Sequence, residues 1–156
     1  MNPDTLHHAV RDVGARATVA VGLLGVGLIH LLDSIGKYSE TRYLFWMYVA
    51  LIVGSLVTAA AVLFTRSRLA FLAAAGLAGS ALVGFIVNRT VGLPNATGDI
   101  GNWTEPLGLA SMFVEAAIVA VAVPAYGFAA RLAPRSAAGH DRVAPRHLHA
   151  EGSAAA

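Results

Sequence analysis

A single glutamate stands inside an otherwise uncharged apolar stretch near the end of the chain. Glu115 lies eight residues into the stretch 107–130, which corresponds to about 12 Å along a helix that rises ~1.5 Å per residue. A carboxylate at that depth in a membrane is costly unless it is protonated, paired or hydrated. Ser111 comes one helical turn earlier and on the same face. Glu115 is therefore the first residue to consider for chemistry.

His30 is the natural partner for Glu115. It lies six residues before Gly36, so its depth is about 9 Å if the first apolar stretch reaches that glycine. The similar depths predict that the two side chains are neighbours, directly or through one water. Such a pair can share a proton, bind a metal or line a small polar cavity, and it can equally be a structural hydrogen bond between two helices. Stable metal sites take three or four ligands, so one histidine and one glutamate are a weak metal signal.

Two polar segments, residues 33–42 and 88–106, can supply further groups to this site. The second is rich in the glycine, proline and asparagine of turns. Arg89 stands where the third apolar stretch ends, within reach of acidic residues of that segment and of Glu115. This pattern fits either a loop clamp or an outward-facing polar site in which Arg89 binds an anion or balances charge. The complete candidate polar site comprises His30, Glu40, Arg89, Asp99, Glu105, Ser111 and Glu115.

Four long apolar stretches must position these residues. The chain is 56% hydrophobic and only 13% charged, whereas a soluble domain carries about a quarter charged residues. A helix needs roughly 20 residues to cross a ~30 Å hydrocarbon layer. The composition therefore predicts an all-α integral membrane bundle of four transmembrane helices, at residues 17–36, 43–65, 69–88 and 107–130. The first stretch lacks a small-residue cleavage site, which favours a retained helix over a signal peptide.

The distribution of basic residues predicts the orientation of the bundle. Eight of the 11 basic residues lie before the first helix, between the second and third, or after the fourth: Arg11, Arg16, Arg66, Arg68, Arg131, Arg135, Arg142 and Arg146. Cytoplasmic loops carry the excess of such residues, so both termini are expected in the cytoplasm and the protein in the inner (plasma) membrane. Residues 1–16 then form a cytoplasmic N-terminal segment, and residues 132–156 a cytoplasmic tail whose composition predicts disorder.

The third stretch carries small residues at helical spacing. They fall on one face and would let another backbone approach closely: Ala73, Gly76, Ser80 and Gly84. This face is expected either to pack inside the bundle or to form a homodimer contact.

Several function classes are excluded or disfavoured. There is no cysteine, which removes thiol catalysis, disulfides and Cys-ligated metals. The net charge of +2 is too small to indicate nucleic-acid binding, and no Rossmann, P-loop, zincin or nucleophile-elbow motif occurs. His30 is the one histidine in the apolar stretches, so a haem with two histidine ligands does not fit one subunit. No cofactor and no metal are predicted; the expected partners are the lipid bilayer, an unknown small ligand and a possible second copy through residues 73–84.

The motifs around the candidate site resemble a family of small four-helix bacterial membrane proteins. The likeness spans about residues 17–130 and rests on His30-Leu31, Glu40, the stretch 89–94 (Arg-Thr-Val-Gly-Leu-Pro), the stretch 105–108 (Glu-Pro-Leu-Gly) and Glu115. The resemblance implies the architecture and no activity. The family's first outer loop often reads Pro-Glu-His, whereas this chain has Ser39-Glu40-Thr41. The missing histidine weakens a metal site carried over from that pattern.

These observations lead to three functional hypotheses. The first is a non-enzymatic accessory or small-ligand-binding protein that uses the polar cluster in the outer half of the bundle. The second is a small proton-coupled transporter or channel subunit, which would need oligomerisation to build a path. The third is a membrane metalloprotein or redox enzyme.

Overall fold

The computed structural model describes residues 3–132, and that part of the chain is helical and contains no strand. In chain order the helices are α1 (Pro3–Asp33), the short α2 (Lys37–Glu40), α3 (Arg42–Phe64), α4 (Leu69–Thr90) and α5 (Pro106–Leu132). The four long helices are each long and apolar enough to span a membrane. The prediction of an all-α fold with four helices that could span a membrane is confirmed. The predicted disordered tail lies outside the described residues, which end at residue 132.

The first helix differs from the prediction at both ends, because it begins at Pro3 and not near residue 17, and ends at Asp33 and not at Gly36. Proline is well accepted at the first helical position, where no backbone N–H is needed. No further proline follows before residue 94, so the N-terminal segment continues directly into the first apolar stretch. The resulting helix has 31 residues and a length of roughly 46 Å. This length exceeds the thickness of a ~30 Å hydrocarbon layer, so a bilayer could not enclose the whole helix if it lay along the membrane normal.

Two helix boundaries beside the candidate site have clear local causes. Gly36 adopts a left-handed conformation with φ of 101°, which glycine accepts without steric cost, and it separates α1 from α2. At the start of α5, the Glu105 carboxylate accepts hydrogen bonds from the backbone N–H groups of Leu107 and Gly108, at 3.0 and 2.7 Å. These bonds satisfy two of the N–H groups that a helix start leaves unpaired.

The four long helices form a bundle with two distinct ends. The helix α1 packs between α3 and α5, and α4 lies between α5 and α3 and also touches α1 across the bundle. At one end, the Arg16 guanidinium donates to the carbonyls of Val62 and Thr65; we call this the basic end. At the other, the Tyr48 hydroxyl donates to the Asp33 carboxylate; we call this the loop end. An earlier residue of α1 thus contacts the end of α3, and the last residue of α1 contacts the first part of α3, so the two helices run antiparallel.

The core is apolar and narrow, and the outer surface is apolar as well. Phe71, Leu23 and Val62 are completely buried between the helices, while alanines along α4 keep its neighbours close: Ala70, Ala74 and Ala78. Large apolar side chains also cover the outside, with Val21 69% and Phe113 75% exposed. A soluble monomer rarely exposes apolar patches of such extent, whereas a bilayer accommodates them.

Glycines bring α5 very close to both of its neighbours. A Cβ atom on Gly22 of α1 would lie 2.7 Å from Cγ1 of Ile118 in α5. A Cβ on Gly108 of α5 would lie 2.5 Å from Cε2 of Phe85 in α4 and 2.8 Å from the Glu105 carboxylate. All three distances are below normal contact, so a side chain at either position would force the neighbouring side chains to shift. The second crossing lies at the loop end and holds the candidate site together.

Candidate functional site

The Arg89 side chain is the centre of a clamp at the loop end. It is only 6% exposed, and its two terminal nitrogens lie 2.9 Å from Oδ1 of Asp99 and 3.2 Å from Oε2 of Glu105. Since Glu105 also caps α5, Arg89 ties the end of α4 to the start of α5. The Asn88 amide donates to the other oxygen of Asp99 at 3.1 Å, and the Gly101 N–H donates to the Arg89 carbonyl at 2.8 Å. The connection 91–105 is thereby fixed over the end of the bundle.

Within this clamp, Arg89 pairs with only two of its three predicted acidic partners. Its charge is balanced by two carboxylates, Asp99 and Glu105, and not by Glu115. An arginine with two acidic neighbours does not attract an anion as a bare one does. The geometry therefore supports the loop-clamp interpretation of Arg89 over the anion-binding one.

Glu115 lies deeper, in the interior of the bundle. Its side chain is 1% exposed. The Ser111 hydroxyl, itself buried, donates to Oε1 of Glu115 at 2.7 Å. The second oxygen, Oε2, is buried and has no hydrogen-bond partner among the described residues. A buried acceptor without a partner costs about 1–3 kcal/mol, and more if it is charged.

The His30 ring faces the same carboxylate. Its Nε2 atom lies 3.9 Å from Oε1 of Glu115, so the two side chains are neighbours as their depths predicted, at a separation longer than a hydrogen bond. The other ring nitrogen, Nδ1, lies 2.9 Å from the Val26 carbonyl. A carbonyl only accepts, so Nδ1 must carry the hydrogen and Nε2 of the neutral ring is an acceptor. Two acceptors therefore face each other across the gap between α1 and α5.

Two residues that the sequence analysis did not single out continue this polar group toward the loop end. The Tyr48 ring packs edge-on against His30 with 5.1 Å between centroids. Its hydroxyl donates to Oδ2 of Asp33 at 2.7 Å, and Asp33 is partly exposed. Asp33 could have been assigned to the site from the sequence, because residues three apart on one helix are neighbours and it follows His30 by three. Tyr48 could not, because aromatic residues are common in apolar stretches.

Glu40 does not join the buried group. Its side chain is 64% exposed and accepts a hydrogen bond from the Lys37 ammonium at 3.1 Å. Burial disfavours the charged form of Lys37, but the Glu40 hydrogen bond and the charges of Asp33, Glu40 and Asp99 outweigh it and raise the Lys37 pKa. The first loop thus contributes a surface ion pair above the site.

The small-residue face of α4 points away from the bundle. Ala73, Gly76 and Ser80 are exposed, and a Cβ atom on Gly76 or Gly84 would meet nothing within 4 Å. The expectation that this face packs inside the bundle is therefore wrong. The buried face of α4 is instead built on Phe71 and the alanines of the core. The alternative, a contact with a second copy, stays a prediction.

The metal hypothesis finds little support in this geometry. Within residues 3–132, no three histidine or acidic side chains come together as a metal site requires. His30 and Glu115 offer two ligand atoms, fewer than the three or four of a stable site.

Comparison with known proteins gives no match: no family model, no curated protein and no solved structure is similar to this chain. The resemblance to small four-helix bacterial membrane proteins accordingly stays a prediction, and the functional argument rests on the site itself.

Proposed function

We propose that this chain is a non-enzymatic, multi-pass membrane protein that binds a small hydrogen-bond donor between His30 and Glu115. The observation that carries the proposal is the buried Oε2 atom of Glu115, which has no partner among the described residues. Across the helix interface, Nε2 of His30 lies 3.9 Å from the other oxygen, Oε1, and is an acceptor too.

The donor count defines the class of ligand. The hydrogen on Nδ1 of His30 is committed to Val26, and the hydroxyl hydrogen of Ser111 is committed to Oε1 of Glu115. Neither leaves a hydrogen for the gap between Nε2 and the carboxylate. A proton on one of the two groups, or a small ligand with several N–H or O–H donors, would satisfy both acceptors. A cationic donor would also balance the carboxylate, so ammonium and small protonated amines suit the site best.

The site is best reached from the loop end. Tyr48 and Asp33 extend the polar group from His30 to the partly exposed surface there. On the other side of Glu115 the described bundle is filled by apolar side chains, among them Ile118, Ala122 and Phe71. This arrangement supports binding from one side and does not by itself offer a path through one subunit.

The proposal includes an orientation in the membrane. Arg11, Arg16, Arg66 and Arg68 lie at the basic end, and four more arginines follow from residue 131 onward in the sequence. Such residues favour the cytoplasm. We therefore assign both termini to the cytoplasm of the inner (plasma) membrane and the loop end, with its ligand entrance, to the outside.

The test uses the purified full-length chain in detergent and measures thermal unfolding with increasing ammonium or methylammonium chloride. Sodium chloride at equal ionic strength is the reference, and Ser80→Ala on the outward face of α4 is the matched control. Glu115→Gln is the informative variant, because the amide supplies its own N–H donors in place of the ligand. Ligand at a hundred times its dissociation constant would stabilise the protein by about 2.7 kcal/mol.

The proposal expects wild type and Ser80→Ala to be stabilised by the amines, and Glu115→Gln to lose that response. An equal response in all three proteins, or none in any of them, would overturn it.

The polar series from Asp33 through Tyr48 and His30 to Glu115 favours a second candidate, a subunit of a proton-coupled transporter. The inner half of the path would then have to come from a second copy, for which the outward small-residue face of α4 is available. Proteoliposomes loaded with a pH-sensitive dye test this directly. A proton flux that Glu115→Gln abolishes would favour the transporter, and an absence of flux alongside amine binding would favour the binding protein.

A further inference from the structure

A cavity lies at the basic end, between the N-terminal part of α1 and the last turns of α5. Its volume is about 340 Å³, within the ~300–1,000 Å³ range of small-molecule sites. It is far along α1 from His30, so it does not belong to the site described above. Its walls include Arg11, Gly14, Ala15, Thr18, Val121 and Phe128. We call it the α1–α5 cleft.

A positive charge borders the cleft. The Arg11 guanidinium lies 4.9 Å from the centroid of the Phe128 ring. Asp12 also borders the cleft, but its carboxylate is bound to Arg16 at 2.8 Å. The charge that Arg11 offers a ligand is therefore not cancelled by its neighbour.

Toward the bundle centre the walls of the cleft are mostly apolar. From Arg11 they change to Ala15, Val121 and Ala125, with Thr18 as a polar side chain among them. The uncharged part of α1 begins directly after Arg16, so in a bundle that spans a membrane Arg11 lies on the headgroup side of that apolar stretch. A Cβ atom on Gly14 would meet nothing within 4 Å, which leaves the wall beside Arg11 open.

We propose that the α1–α5 cleft binds an anionic phospholipid, with its phosphate against Arg11 and an acyl chain along Ala15, Val121 and Ala125. A cation at headgroup level above an apolar groove is complementary to such a lipid. A soluble phosphate would use the charge and leave the groove empty. This inference needs the bundle to span a membrane, and it does not depend on ligand binding at Glu115.

The experiment titrates the full-length protein in detergent with short-chain phosphatidylglycerol and follows binding by native mass spectrometry and thermal unfolding. Phosphatidylcholine of the same chain length and inorganic phosphate are the comparison ligands. Arg11→Gln removes the charge, and Gly14→Leu fills the groove where the backbone has space. Arg66→Gln is the matched control, because this exposed arginine lies at the same end and does not border the cleft.

Wild type and Arg66→Gln are expected to bind phosphatidylglycerol at least about fivefold more tightly than phosphatidylcholine. Arg11→Gln should weaken phosphatidylglycerol binding about fivefold, the contribution of one basic residue at an anionic surface, and Gly14→Leu should weaken both lipids. Equal affinity for both lipids would overturn the proposal, as would an equal loss in Arg66→Gln and Arg11→Gln. Inorganic phosphate that competes as well as the lipid would also overturn it, because the groove would then contribute nothing. Glu115→Gln leaves the cleft intact, so the two proposals fail separately.

Discussion

Replacing His30 and Glu115 with leucine, singly and together, measures the coupling free energy between these two side chains of α1 and α5. The single change Glu115→Leu removes the acceptor of Ser111 and the neighbour of His30. The change His30→Leu removes the group that faces the carboxylate across the gap of 3.9 Å. The double variant replaces both with apolar groups that resemble the surrounding core.

The separation of 3.9 Å between Nε2 of His30 and Oε1 of Glu115 sets an upper bound on the coupling energy. Two full charges 3.9 Å apart would interact by about 4 kcal/mol at an effective dielectric constant of ~20. Two neutral groups without a hydrogen bond would interact far less. Residues in contact usually show coupling energies of about 0.5–3 kcal/mol, and we expect about 1 kcal/mol without ligand. Added ammonium should raise the coupling, because a bound donor contacts both side chains.

The assay is reversible unfolding in mixed micelles, with the free energy of unfolding measured for all four proteins of the cycle. The double variant should lose less stability than the two single variants combined, because it leaves fewer buried polar groups unpaired. Losses that add within ~0.5 kcal/mol, with and without ammonium, would refute the view that His30 and Glu115 act as one site. A coupling that ammonium leaves unchanged would indicate a purely structural pair.

Four further predictions follow from the packing and the charges. Gly108→Ala should destabilise the bundle by about 1–3 kcal/mol, while Gly84→Ala should not, because its Cβ would point into open space; thermal unfolding of the pair compares them. Arg89→Gln should cost about 1–3 kcal/mol, since the two carboxylates that it leaves are partly exposed. It should also raise protease cleavage of the segment 91–105, which loses its anchor. Gly76→Leu should leave the unfolding of the monomer unchanged and abolish any dimer seen by light scattering; unchanged dimers would place the contact elsewhere. A C-terminal fusion to a fluorescent protein should be bright and one to alkaline phosphatase inactive, and the opposite result would reverse the proposed orientation.

The bounds of α3, α4 and α5 could be predicted closely from the sequence, whereas α1 begins well before its predicted start. In a hydrocarbon layer every backbone N–H and carbonyl must be paired within the protein, so an uncharged stretch of about 20 residues forms a helix. Counting residues to the expected helix ends gave similar depths for His30 and Glu115, and the two side chains are neighbours, although α1 ends at Asp33 and not at Gly36. Their proximity could therefore be anticipated before any tertiary contact was known.

The rotation of each helix about its own axis was decided by the tertiary structure alone. The helix α4 is apolar on every side, so its hydropathy does not distinguish a core face from a lipid face. Packing against α5 selected the alanine and Phe71 face for the core and turned Gly76 and Gly84 outward. The partners of Arg89 were also decided by the tertiary structure. The path of the segment 91–105 places Asp99 and Glu105 beside Arg89. Glu115 lies beside His30 instead. In a membrane bundle, the sequence thus determines which residues form helices and how deep each side chain lies, and close packing determines which side chains meet.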